Sequence, residues 1–275
     1  METRTVFCND IALRILDFGG VGDTVILLHG AMSRAANWFD VACWMKDHFH
    51  VLAFDQRGHG RSGKPVGGYS RDDFVRDLVG VMDSLNIRRA HLLGHSLGGL
   101  NAWVAASMHP ERVESVTIED MGADQWPAET VDQWRSWFDE WPLPFPCLKE
   151  ARRYFSSIRP SFADHFMELL EERDSGYWPI FSFDTVLDVL RGIAAKPWWN
   201  ELRDIRCPTL LIRGEHSEIL KRDEALAMHR ALKNGHLAEI SAAHHVIHDD
   251  QPERFKEVVL DFLLQTAPRD RAVAR

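Results

Sequence analysis

The pentapeptide Gly94-His95-Ser96-Leu97-Gly98 sits at a junction that few folds can supply. Directly before it stands a short apolar, strand-like run, His91 to Leu93, and directly after it a helical run containing Leu100, Ala102, Val104, Ala105 and Ala106. A serine between two glycines at a strand-to-helix boundary predicts a sharp turn, because only residues without a side chain let the backbone segments pass so closely. Such an elbow lifts the Ser96 hydroxyl out of the end of a sheet. The helix that follows turns its positive N-terminal end toward any anion formed there.

The remainder of the chain supplies the sheet this elbow needs. Val25 to Leu28 precede His29-Gly30, and Val51 to Phe54 precede Asp55. These continuous apolar runs read as buried parallel strands. Between them Ser70 to Leu85 reads as a helix, with Ser70 and Asp73 as a capping-box-like start and Phe74, Leu78, Val81, Met82 and Leu85 on one apolar face. Further strands are expected at Val113 to Glu119, Thr209 to Arg213 and Leu237 to Ile240, then a closing helix from Pro252 to Leu264. Ile11 to Phe18 reads as an arm of an antiparallel hairpin. Alternating strands and helices predict a mostly parallel sheet.

From Gly122 to about Asn200 the alternation stops, and the segment carries seven of the ten tryptophans. It reads as a helical, proline-punctuated cap at residues 122–200, inserted into a core formed by residues 1–121 and 201–275. Trp126, Trp134, Trp137 and Trp141 recur at spacings of eight, three and four, which fits one helical face ended by Pro142, Pro144 and Pro146. Aromatic rings in such a stretch can simply hold it together, but these four are expected on a substrate pocket. Arg152, Arg153 and Arg159 read as solvated.

Charge and composition remove other classes. The net charge of -9 comes from scattered acidic residues without a basic stripe, which argues against a nucleic-acid partner. No apolar run approaches the roughly 20 residues of a membrane-spanning helix. Met1 to Asp10 lacks the apolar core of a secretory signal, so a cytoplasmic protein, monomeric or homodimeric and without a membrane partner, is expected. Cys8, Cys43, Cys147 and Cys207 form no CxxC pair and read as reduced, mostly buried thiols. His244, His245 and His248 crowd together, but two are adjacent and no further ligand motif accompanies them, so neither metal nor cofactor is expected.

Several motifs agree: Leu28-His29-Gly30, the Asp55-Gln56-Arg57-Gly58-His59-Gly60-Arg61-Ser62 loop, the Ser96 elbow, and Gly214 after a late strand. Together they resemble the α/β-hydrolase superfamily over nearly the whole chain. The resemblance implies an eight-stranded, mostly parallel sheet flanked by helices with an inserted helical cap. It also implies Ser96 as nucleophile, with an oxyanion hole from the backbone N–H groups of Ala31 and Leu97. His245 becomes the base, because it precedes the Asp250-Gln251-Pro252-Glu253 helix start where the family places its histidine. His29 and His59 are expected to support their loops, and Asp55 and Arg57 to hold theirs by polar contacts.

The acid is less direct. Many members carry it shortly after the strand that here ends at Gly214, but the corresponding residue is Ser217, which cannot supply a negative charge. Asp120, at the end of the Val113 to Glu119 strand, is the first choice. Glu218 is the alternative, with Glu215 and Glu119 behind it. The expected reaction is hydrolysis of a carboxylic ester or lactone of a small, largely apolar substrate through an acyl-enzyme. Carbon–carbon hydrolysis, thioester hydrolysis and perhydrolysis use the same scaffold, and a ligand-binding or signalling protein built on it is the alternative of another class.

Overall fold

A computed structural model describes residues 1–158 and 163–266 of the chain, so Arg159 lies outside the described residues. The strands are β1 (Glu2–Cys8), β2 (Ile11–Gly19), β3 (Thr24–Leu28), β4 (His50–Phe54), β5 (Ala90–His95), β6 (Val113–Glu119), β7 (Leu170–Arg173), β8 (Gly176–Pro179), β9 (Thr209–Gly214) and β10 (Gly235–Ile240). Eight of them form one sheet in the order β1-β2-β4-β3-β5-β6-β9-β10. The β1–β2 and β2–β4 pairs are antiparallel. All pairs from β4 to β10 are parallel. The mostly parallel sheet and the N-terminal hairpin thus follow the expectation.

Helices α1 (Phe39–Met45), α2 (Arg71–Ser84) and α3 (Leu97–Met108) connect the first parallel strands. The start of α2 is a reciprocal cap: Asp73 N–H donates to Ser70 Oγ at 3.3 Å, and Ser70 N–H to Asp73 Oδ2 at 3.0 Å. Its Phe74, Leu78, Val81 and Met82 are buried against the sheet. Residues Leu97 to Ala106 of α3 are buried all round, as befits a helix pressed between the sheet and other layers. β5 and β9 are buried along their whole length because both sheet faces are covered.

Between β6 and β9 the chain forms α4 (Thr130–Asp139), α5 (Leu148–Ile158), α6 (Ala163–Glu168), the antiparallel β7–β8 hairpin, α7 (Phe183–Ala194) and α8 (Trp199–Asp204). The insertion is mostly helical and carries one short hairpin besides. The hairpin turns at Gly176, whose φ of +125° favours glycine. After β9 come α9 (Arg222–Ala231), β10, α10 (Ile247–Asp250) and α11 (Pro252–Thr266). One apolar cluster joins α2, α3 and the β6–β9 insertion, and a second lies under α1 and α11 on the other side.

The cysteines depart from the buried reading. All four are free, with Cys43 and Cys147 exposed and Cys8 and Cys207 half-buried. Cys43 falls on the outer side of α1, and Cys147 in the turn before α5, where no core contact demands an apolar group. Among the described residues no helix is long and apolar enough to cross a membrane.

Candidate active site

Ser96 occupies the turn between β5 and α3 with φ of 51° and ψ of -117°, a backbone state that a residue with a side chain adopts only under constraint. Its neighbours explain the constraint. A Cβ on Gly94 would stand 2.2 Å from the backbone of Gly98, and one on Gly98 would stand 2.0 Å from the Leu28 carbonyl oxygen. The elbow therefore closes only because both flanking residues lack side chains.

The loop after β3 is held against this elbow. A Cβ on Gly30 would lie 2.7 Å from His95 Nδ1 and 3.4 Å from Ser96 Cβ. His29 Nδ1 lies 2.8 Å from the Gly30 carbonyl, which can only accept, so Nδ1 carries the proton. His29 Nε2 then accepts the Gln56 N–H at 3.0 Å. Burial lowers the His29 pKa to about 4, in keeping with this neutral tautomer. Gln56 returns a bond to the His29 carbonyl at 2.7 Å and accepts from Asn101 Nδ2 at 2.7 Å, tying the loop to α3. Asp55, fully buried, accepts the N–H groups of Ala35 and Arg61, and Arg57 is bidentate to Asp77 at 2.6 and 2.7 Å.

The three late histidines diverge to three carboxylates. His244 Nδ1 is 3.3 Å from Asp250, His245 Nδ1 is 2.7 Å from Asp120 Oδ2, and His248 Nδ1 is 2.8 Å from Glu119. They do not converge, and no group of three or more His, Cys, Asp or Glu among the described residues could hold a metal ion. Asp120 follows β6 with φ of 52° and is fully buried, whereas the His245 side chain keeps 16% of its exposure. Asp120 Oδ1 accepts the Gly214 N–H at 3.2 Å, and Oδ2 accepts the Ser217 hydroxyl at 2.5 Å. His95 Nε2 donates to the His245 carbonyl at 3.0 Å and braces the backbone of that residue. Burial, then repulsion by His245 and His248, holds the His95 pKa well below the usual histidine range.

Ser96 and His245 line one cavity of about 630 Å³ together with Ala31. Leu97 is the first residue of α3, where a helix has N–H groups without intrahelical partners. Trp126, Trp134 and Trp137 contribute to the far wall, as do Phe155 and Phe166. Trp126 also borders a separate outer cleft with Gln125 and Arg191. Trp141 does not line the cavity, which corrects the expectation. The helix ends at Asp139, two residues earlier, so helical spacing no longer governs the direction of Trp141. Its ring instead packs edge-on to Phe155 at 4.8 Å and to Trp137 at 5.1 Å inside the insertion.

Glu218 lies on the cavity wall, while Glu215 accepts the Ala242 N–H at 2.9 Å and so ties β9 to the loop of His245. His165, from α6, is a further cavity residue unmarked by any sequence motif. Burial first, and then His248 and His245, lower its pKa to about 4. The bonding of Ser217 and the Gln56–Asn101 link were likewise missed, since both join residues distant in sequence.

A model of the α/β-hydrolase fold matches residues 23–252. The chain is 26% identical over 266 residues to the 2-(acetamidomethylene)succinate hydrolase of Mesorhizobium japonicum, covering 95% of each chain. It is 27% identical over 267 residues to the 2-hydroxy-6-oxo-2,4-heptadienoate hydrolase of Pseudomonas putida, covering 94% of this chain and 95% of that one. A crystal structure of E-2-(acetamidomethylene)succinate hydrolase superposes with a TM-score of 0.86 at 26% identity, covering 95% of this chain and 98% of the other. The family match runs from the first parallel strand to the start of α11, over the elbow and the loops that meet it, and the chain belongs to the α/β-hydrolase family and is a hydrolase.

Proposed function

We propose that the protein is a serine hydrolase that cleaves a carboxylic ester or lactone of a small, largely apolar substrate. The observation that carries this reading is the meeting of Ser96 and His245 on one apolar-walled cavity, with His245 Nδ1 2.7 Å from the buried Asp120 carboxylate. Asp120 orients the imidazole and stabilises its charged form. His245 Nε2 takes the Ser96 proton as Oγ attacks the carbonyl carbon, and the oxyanion rests on the N–H groups of Ala31 and Leu97. The protonated His245 then gives its proton to the leaving oxygen. Water attacks the acyl-enzyme, losing a proton to His245, and the acid leaves as Ser96 regains its hydrogen. Residues 122–200 act as the cap that gives the substrate an aromatic wall.

Labelling by a fluorophosphonate probe tests the nucleophile. Wild type is expected to label at Ser96, and Ser96→Ala to lose labelling and about 10⁴-fold or more of the turnover of a chromogenic short-chain ester. Near-normal turnover by Ser96→Ala overturns the mechanism. A second reading, hydrolysis of a carbon–carbon bond in a vinylogous diketone, is favoured by the relatedness to 2-hydroxy-6-oxo-dienoate hydrolases. A panel of esters, lactones and such diketones separates the two. Greater kcat/KM on diketones than on every ester and lactone overturns the first.

A further inference from the structure

We propose that Ser217 is a positioning residue of the Asp120–His245 pair, its hydroxyl sharing with the imidazole a single carboxylate oxygen, Asp120 Oδ2. The inference rests on the triad reading above and adds a fourth group to it. The turn after β9 wraps around Asp120. Gly214 N–H donates to Oδ1 at 3.2 Å and Ser217 Oγ to Oδ2 at 2.5 Å, while His245 Nδ1 reaches the same Oδ2 at 2.7 Å. The direction of the Ser217 proton is forced. Its oxygen already accepts the N–H groups of Ile219 at 3.1 Å and Leu220 at 3.0 Å, so its lone pairs are taken and its hydrogen is left for the carboxylate. The turn cannot drift away, because Ser217 N–H donates to the Gly214 carbonyl at 3.0 Å and His216 N–H to the Ala243 carbonyl at 2.8 Å. A Cβ on Gly214 would meet the His244 carbonyl oxygen at 2.1 Å, so the turn also presses on the loop that carries His245.

The arrangement has two physical effects. Asp120 is fully buried, and three donors satisfy its charge where water cannot. The carboxylate is thereby pinned in one rotamer, facing His245. The hydroxyl also draws charge from the very oxygen that faces the imidazole. It weakens the hold of the carboxylate on an imidazolium. Ser217 thus stands where a carboxylate is common in this family and supports an acid that comes from the neighbouring strand.

Ser217→Ala, Ser217→Thr and wild type are compared on a chromogenic short-chain ester. For Ser217→Ala, kcat is expected to fall about tenfold with KM changed less than about twofold, the size of a lost bond to a charged group. The acidic limb of kcat/KM is expected to move up by about half a pH unit. Ser217→Thr, which keeps the hydroxyl, restores both. The other groups around His245, namely His95, His165, His216, His244 and Glu218, are identical in all three proteins, so the difference isolates the hydroxyl. Wild-type kcat in Ser217→Ala, or a fall in kcat with an unmoved limb that threonine does not repair, overturns the proposal. Should the alanine variant not fold, Ser217→Cys carries the test: a weak donor must give a limb displaced in the same direction, and an unmoved limb is fatal. Failure of the triad reading looks different: wild type would not label at Ser96, and Asp120→Asn would keep the wild-type rate.

Discussion

Two carboxylate–imidazole pairs stand side by side at the end of β6, and they face different surroundings. Glu119 and Asp120 are consecutive, both fully buried, and each holds a histidine from the segment after β10, His248 in α10 and His245 in the loop before it. Glu119 is spent entirely on structure. Its oxygens take both the ring Nδ1 and the backbone N–H of His248, whose ring stacks on Trp38 with centroids 4.4 Å apart. Burial pushes the His248 pKa down, but the adjacent Glu119 charge and its hydrogen bond more than offset this and leave it raised. Asp120 makes the same contact to His245, yet that ring opens onto the cavity. The two pairs differ on the far side of the imidazole, where one has packed rings and the other has empty volume beside Ser96, as the proposed triad requires.

The sharpest way to break this comparison is to remove each charge in turn. Asp120→Asn is expected to lower kcat by about 10⁴-fold with the fold intact, as loss of a triad carboxylate does. A loss below about tenfold in folded protein would place the acid elsewhere. Next in size is the response to acid. The buried, neutral histidines His29 and His91 have pKa values lowered to about 4 by burial, and burial with repulsion from His29 takes His59 to about 3. A depressed base adds stability that is complete above about pH 6.5 and is lost as pH falls toward the folded value, at about 1.4 kcal/mol per pH unit for each group. For each such histidine, urea unfolding is expected to show a loss of about 2 kcal/mol between pH 7 and pH 5. A flat profile over that range refutes the neutral assignments.

His248 has the opposite sign. Its raised value gives stability that is complete below about pH 6.5 and is lost as pH rises through that raised value. Glu119→Gln is expected to cost about 3 kcal/mol in urea unfolding, because it strands a buried partner, and to remove this alkaline decline. The kcat of the folded variant should stay within about threefold of wild type. A drop in kcat comparable to that of Asp120→Asn would erase the distinction between the pairs. The smallest effect is expected for Glu218→Gln, with kcat within about twofold of wild type in a steady-state ester assay, since the cavity wall, not the imidazole, is what changes.

The readable parts of the molecule were those where one short stretch of chain carries its own signal. Strands at Val25 to Leu28 and Val51 to Phe54 are continuous apolar runs because helices cover both sheet faces, and these two and the strand at Val113 to Glu119 are observed to begin and end within a residue of the expected bounds. β1 carries no such signal, since an exposed edge half built of charged and polar residues has no apolar run. β7, Leu-Glu-Glu-Arg, is a strand only through its partner β8. At the site, the elbow and the histidine loop could be located from local motifs, and Asp120 from its place at a strand end. The use of Ser217 could not. Its importance depends on β9 lying beside β6, which brings together residues separated by 97 positions. The direction of Trp141 failed for the converse reason, because a periodic rule was carried past the end of its helix.

Mutational tolerance should differ sharply along the cavity. At positions 94 and 98 any side chain would collide with backbone atoms little more than 2 Å away, which no rotamer change can relieve. A randomised library there would return almost nothing but glycine among folded members. Trp126, Trp134 and Trp137 border empty volume instead, so a smaller residue at these positions enlarges an existing space and leaves no new void in the core. Variants selected for altered substrate range would thus accumulate on the aromatic wall and leave the elbow untouched, with selectivity and chemistry able to vary on separate stretches of one chain.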